Sequence, residues 1–211
     1  FLKKLGLAIE KKKLKVIILK GFALLPQIYP DLGSRFMSDI DFLLDEKDLD
    51  KIETLLLENG FKLLQTTKWE RNNFKREYVT KDIDSFNIVI ETHSRLFHHR
   101  NEQFRWKFEA HEIHPYFQLT KEGMLNHLIG HLAFQHTFVK LNWLFDIYLF
   151  IEKYQNEINW DEVHTNAKEL ELYRSHQMVF WILETIFSLH LNESTRSFFK
   201  IDKNLLFKKM I

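Results

Sequence analysis

No proline follows Pro115 and no glycine follows Gly130. Proline removes a backbone donor and clashes with the preceding turn, and glycine gives the chain its greatest conformational freedom. A long stretch without either is expected to fold as helices. Four segments there carry apolar residues at helical spacing: "KEGMLNHLIGHLAFQHTF", "LNWLFDIYLFIEKYQ", "NWDEVHTNAKEL" and "YRSHQMVFWILETIFSLHL". Asn159 is placed to cap the third. The spacing predicts a helical domain over residues 116–211.

Residues 1–115 read as an α/β domain. Residues 2–10 form a short helix, "LKVIILKG" is a β-branched run that predicts a buried strand ending at Lys20, and "FALLPQIY" is a helix of about two turns. Asp45 caps a further helix in which Leu49, Ile52, Leu55 and Leu56 recur, with Asn59-Gly60 as its stop. Strands are expected at "FKLLQ", "KREYVT" and "FNIVIETH", the last two flanking the hairpin loop "KDIDS" with Asp82 and Asp84.

Composition narrows the class. The 211-residue chain is 45% hydrophobic, enough for a substantial core, and has no cysteine, so it offers neither disulfide nor thiolate. Its formal net charge of +1, and the even mixture of acids and bases after residue 141, argue against nucleic acid as the main partner. With no eighteen-residue apolar run and no secretory signal at the start, a cytoplasmic protein with no membrane span is expected. A first residue of Phe leaves open that the natural start lies upstream.

The segment "RFMSDIDFLLDE" carries the chemistry. In a strand, Asp39, Asp41 and Leu43 share one face while Ile40, Phe42 and Leu44 line the other. Two close carboxylates repel one another, and burial without a counter-charge is costly. A divalent cation resolves the conflict, and Mg²⁺ (or Mn²⁺) takes one or two carboxylates together with substrate phosphates. The plain alternative is a solvated pair of aspartates at a strand edge. If "FNIVIETH" is a neighbouring strand, Glu91 adds a third acid, as a metal ligand or as the base for an acceptor hydroxyl. An ion pair with Arg95 or a nearby lysine would also account for it. His93, two residues on, shares that face and either orients a carboxylate, touches substrate or is structural. Lys20-Gly21, where a strand feeds a helix, and Arg35 are placed to meet phosphate oxygens.

Taken together, "LKGFALLPQIYPDLGSRFMSDIDFLL", "IETH", "LNHLIGHLAFQH" and "LNWLFDIYLFI…INWDEV…A" resemble the uncharacterised nucleotidyltransferases of the polymerase-beta-like superfamily, over about residues 14–185. The resemblance implies an α+β fold, a mixed sheet with flanking helices followed by a C-terminal helical bundle. It also implies metal-binding Asp39 and Asp41, a third carboxylate at Glu91, and transfer of a nucleoside monophosphate from a nucleoside triphosphate to an acceptor hydroxyl with release of pyrophosphate. The wider superfamily carries Gly-Gly or Gly-Ser shortly before the aspartates, whereas this chain has Lys20-Gly21-Phe22 further upstream. Lys20, Arg35 and Ser38 would then contact the triphosphate, or Ser38 would cap a turn. A small-molecule or protein acceptor is expected. Two rival readings are a non-catalytic relative that binds nucleotide or protein, and a nucleotide-sugar glycosyltransferase, for which too little sheet precedes the motif.

The eleven histidines do not read as a zinc centre. His127 and His131 are four apart, and His111 and His114 three apart, but "HLIGH" lacks the Glu of a metalloprotease helix. Trp143, Phe145, Tyr148 and Phe150 are expected in a core, with Asp146 as a buried, paired acid.

Overall fold

The computed structural model describes residues 2–31, 33–64, 75–81, 87–97, 105–136, 138 and 140–199. The chain divides into two compact units, Phe1–Glu102 with Trp106–Thr120, and Gln103–Arg105 with Lys121–Ile211.

Among the described residues, the first unit is built on a seven-stranded sheet of order β3-β4-β5-β2-β1-β7-β6. Its strands are β1 (Ile17–Ile18), β2 (Ile40–Leu43), β3 (Lys62–Leu63), β4 (Lys75–Lys81), β5 (Asn87–His93), β6 (Phe108–Ala110) and β7 (Phe117–Leu119). β2 runs parallel to β5 and β1 parallel to β7, while the other neighbours are antiparallel, so the sheet is mixed. Helices α1 (Leu2–Lys11), α2 (Lys20–Ile28) and α3 (Leu49–Glu58) accompany it.

Period-two alternation divides the sheet chemically. Tyr78, Ile90 and Phe42 are fully buried. They lie on one face because Tyr78 pairs with Ile90, Ile40 pairs with Ile90, and Phe42 follows Ile40 by two. Helix α3 lies on this side, with Ile52, Leu55 and Leu56 buried. Its Glu53 accepts from Tyr78 Oη at 2.8 Å and pairs with Arg76 at 3.0 Å. The opposite face carries Asp41, Glu91 and His93. Helix α2 is tied to the sheet by Gln27, whose Nε2 donates to Gln118 of β7.

Several local features differ from expectation. The strand after α1 is only two residues long, and Lys20 opens α2 instead of ending β1. Asp45 caps a single 3-10 turn, Glu46–Asp48, accepting from Lys47 N, before α3 begins. Gly60 stops α3 with φ +88°, a conformation only glycine adopts readily. Strands β6 and β7 carry no sequence signal, each being three residues long. The loop with Asp82 and Asp84 lies outside the described residues.

The second unit contains α4 (Lys121–His136), α5 (Leu141–Tyr154), α6 (Trp160–Glu169), α7 (Tyr173–Ile186) and α8 (Glu193–Phe198). Every residue of α4 from Gly123 to Leu132 is buried, and α4 packs against α5, α6 and α7, so it is the central helix of the unit. Asn159 caps α6 by accepting from Glu162 N at 3.1 Å. His127, His131 and Asp146 are buried in this unit, and His131 stacks against Trp143 at 4.2 Å. Phe150 is core, but Phe145 is 40% exposed and stacks on Tyr148, so the aromatic stripe is only partly interior.

Candidate active site

Asp41 is the centre of the polar face. It is 5% exposed, and its Oδ1 is met by Lys20 Nζ at 2.7 Å and His93 Nε2 at 3.0 Å. Backbone geometry explains the first contact. Leu19 N donates to the Asp41 carbonyl at 3.0 Å, so the residue before Lys20 is fastened to β2 where Asp41 projects. Lys20 follows with φ +48° as the first residue of α2. The second contact follows from register. Asp41 pairs with Glu91 and Leu43 with His93 across the parallel β2–β5 ladder, so all four project from one face.

Glu91 lies beside Asp41 and is held at both oxygens. Lys75 Nζ stands 2.9 Å from Oε1, and His93 Nε2 stands 3.5 Å from Oε2. Glu91 thus has the lysine partner that a merely structural glutamate would have, and also a carboxylate neighbour that such a role does not require. Asp39 sits at the mouth of β2, half-buried, where it accepts from Ser38 Oγ at 3.1 Å.

Electrostatics follow these contacts. Burial resists ionisation of Asp41, but the Lys20 ammonium and the His93 imidazole outweigh it and hold the carboxyl far below its ordinary range. Burial likewise opposes the charge on Glu91, yet hydrogen bonding from His93 and attraction to Lys75 bring it down to about 2, against the repulsion of Asp41. Burial pushes the His93 imidazole down, and its bonds to Asp41 and Glu91 reverse this and raise it. Asp39 moves the other way: burial, Asp41 and Glu91 all raise it, with Ser38 and Lys20 only partly offsetting them.

A divalent cation fits this donor set. Asp41, Glu91 and His93 each offer a ligand atom, all within 4.8 Å of one another. Two of the three are hard carboxylate oxygens, which suit Mg²⁺ or Mn²⁺. Burial, and then the neighbouring Asp41 and Glu91, disfavour the charge on Asp39, and such an ion would favour it.

The remaining sequence candidates form a second group. Arg35 lies over Gly21: a Cβ at that position would come within 2.3 Å of Arg35 Nη1 and 2.8 Å of Cζ. The structure therefore brings Lys20, Asp41, Glu91 and His93 into direct contact, while Gly21 meets Arg35 and Ser38 meets Asp39. Two residues of the polar face were missed by sequence reasoning. Lys75 and Glu77 come from β4, pairing with His93 and Glu91 respectively, and only their period-two spacing in "KREYVT" hints at a shared face.

Solved structures share this fold. The crystal structure of ANT(2'')-Ia in complex with adenylyl-2''-tobramycin is similar over 78% of this chain and 91% of its own, at 13% identity and TM-score 0.53. The solution structure of the antibiotic-resistance factor ANT(2'')-Ia, described as showing substrate-regulated conformation dynamics, is similar over 90% and 96%, at 12% identity and TM-score 0.53. No curated protein matches the sequence. The model of the uncharacterised nucleotidyltransferase family matches residues 2–188, nearly the whole chain. A chain with this sheet, this acidic face and this match belongs to the uncharacterised nucleotidyltransferase family.

Proposed function

We propose that the protein is a Mg²⁺-dependent nucleotidyltransferase (Mn²⁺ substituting) that moves a nucleoside monophosphate from a nucleoside triphosphate to an acceptor hydroxyl. The observation that carries this reading is the pairing of Asp41 with Glu91 across two parallel strands, with Asp39 beside them and an ammonium and an imidazole already engaged. Asp39, Asp41 and Glu91 would hold the metal, with His93 orienting Asp41 and Glu91. The bound ion would supply charge neutralisation at the phosphates and lower the cost of the developing negative charge.

The protein's own groups would do the rest. Lys20, the Gly21 backbone at the start of α2, Arg35 and Ser38 would grip the triphosphate and set its α-phosphorus in line with the acceptor. The acceptor oxygen would form a bond to the α-phosphorus as the bond to the bridging oxygen breaks, and pyrophosphate leaves with that electron pair. The acceptor's proton would pass to Glu91, where that residue serves as base in place of metal ligand, or to solvent. Most of the catalysis would come from positioning and charge.

The nature of the acceptor is supported from two sides. The similar ANT(2'')-Ia structure contains adenylyl-2''-tobramycin, a small molecule bearing an adenylyl group, and this chain's near-neutral net charge does not favour a polyanionic acceptor. A small hydroxylated metabolite is therefore the acceptor proposed, with a protein side chain second and ATP as donor. No helix among the described residues is long and apolar enough to cross a membrane, and the cytoplasm, which supplies Mg²⁺ and nucleotides, is the compartment proposed.

The experiment is incubation with labelled triphosphates and Mg²⁺ or Mn²⁺ against metabolite, RNA and protein pools. Transfer of label from the α-position to a small metabolite, with pyrophosphate released, is the expected result. Label appearing in none of the pools, with no pyrophosphate formed, would overturn the reading.

A further inference from the structure

Six charged or ionisable side chains on the polar face form one alternating chain. Glu77 pairs with Lys75 at 2.9 Å, and Lys75 with Glu91 at 2.9 Å. Glu91 faces His93 at 3.5 Å, His93 meets Asp41 at 3.0 Å, and Asp41 meets Lys20 at 2.7 Å. Three strands and the start of α2 each supply a link. Of the six, only Asp41 belongs to the Asp-x-Asp motif.

We infer that Lys75, backed by Glu77, is a positioning residue for the reaction: it grips Oε1 of Glu91 and so turns Oε2 toward His93 and Asp41. This inference rests on the nucleotidyltransferase reading of the same site. A glutamate has three side-chain torsions, and one partner rarely fixes it. Here Lys75 holds one oxygen and His93 faces the other, so the carboxylate plane is set from two sides. Lys75 is in turn restrained. Its ammonium bridges two carboxylates from adjacent strands, Glu77 and Glu91, which are themselves a cross-strand pair. The clamp is therefore an ammonium held between two carboxylates, lying beyond the donor set formed by Asp41, Glu91 and His93.

Such a clamp gives opposite signs in two measurements, which damage to the fold cannot do. Without it Glu91 loses its orientation, and kcat should fall about 10- to 100-fold, the usual cost of losing a group that orients a ligand. The KM for the triphosphate should stay within about threefold, because among the described residues Lys75 pairs with Glu77 and Glu91, neither of which is assigned to the phosphates. Removing one positive charge from the face should at the same time tighten binding of Mn²⁺ alone by about three- to tenfold.

The test compares Lys75→Met, Lys75→Arg and Glu77→Gln with the parent protein, using steady-state kinetics, Mn²⁺ titration followed by electron paramagnetic resonance, and thermal melting. The expected pattern is a slow Lys75→Met variant with tighter Mn²⁺ binding, an intermediate Glu77→Gln variant, and recovery of most of the rate in Lys75→Arg. An unchanged rate in Lys75→Met would overturn the inference. So would a Lys75→Arg variant as slow as Lys75→Met, or rate, Mn²⁺ affinity and melting midpoint all falling together. Asp41→Asn, titrated in parallel, separates this from failure of the site itself: Mn²⁺ affinity preserved in that variant removes the nucleotidyltransferase site. With no turnover to compare, an unchanged Mn²⁺ affinity in Lys75→Met is sufficient to overturn the clamp.

Discussion

Lys20 and Asp41 meet at 2.7 Å across 21 positions of sequence, and this contact makes Asp41 electrostatically unlike its neighbour Asp39. Asp41 is an acid whose charge the fold stabilises. Asp39, raised by burial and by two nearby carboxylates, is an acid whose charge the fold resists.

Neutralising the two aspartates should therefore separate activity from stability. Both Asp39→Asn and Asp41→Asn are expected to lower metal-dependent turnover by at least ~10²-fold. In the metal-free protein at neutral pH, Asp41→Asn should lower the melting midpoint, because Lys20 and His93 lose the charge they surround. Asp39→Asn should leave the midpoint unchanged or raise it, because it removes a disfavoured charge. Calorimetry of both variants checks this, and the opposite order of midpoints would refute the electrostatic assignment.

Glu91→Gln keeps the shape of the side chain but removes its charge and basicity. Its turnover should drop by at least ~10²-fold. Asp50→Asn serves as the control, because Asp50 is 90% exposed on the α3 side of the sheet, paired with Arg76. Its rate should stay within about twofold of the parent, as exposed ion pairs contribute little. Equal losses in the two variants would mean that the acidic face is not the reacting one.

At Gly21 the prediction is geometric. The Cβ of Gly21→Ala would overlap the Arg35 guanidinium, and a flexible side chain yields more readily than backbone. Arg35 should be displaced while the fold holds. Loss of a charged hydrogen bond to the triphosphate should raise its KM by about tenfold with a much smaller change in kcat. A variant with parent kinetics would show that Arg35 is not a phosphate ligand.

The helical unit should be sensitive to acid through His176. This residue is fully buried, its Nδ1 lies 3.0 Å from the Leu172 carbonyl, its ring stacks on Phe199, and burial lowers its pKa from 6.5 to about 4. Between those values the unfolded chain holds a proton that the folded chain refuses, so stability is complete above about pH 6.5 and declines as pH falls toward 4. The full loss is on the order of 3 kcal/mol. Denaturant titrations at several pH values should show this slope, and His176→Leu should flatten it. A slope unchanged in the variant would place the acid sensitivity elsewhere.

Much of this was written locally in the chain. The absence of proline and glycine after residue 130 predicts the helices α5, α6 and α7, because helix formation depends on contacts within a few residues. Period-two alternation in "SDIDFLL" and "FNIVIETH" assigns Asp41 and Glu91 to polar faces of their strands, since a strand's side-chain direction is a local property. What no local pattern carries is register. That Asp41 faces Glu91, that Glu77 faces Glu91, and that Lys75 faces His93 depends on which strands pair and at which offset, and a slip of one residue would turn each of these groups to the opposite face. The same holds for the short strands β6 and β7, which are too brief for any periodicity and exist only because neighbours supply their hydrogen bonds, whereas the β-branched run around β1 was legible in the sequence. Lys75 and Glu77 thus looked like ordinary strand charges in the sequence; the hairpin of β4 with β5 was legible there, but the register that sets Lys75 opposite His93 and Glu77 opposite Glu91 was not.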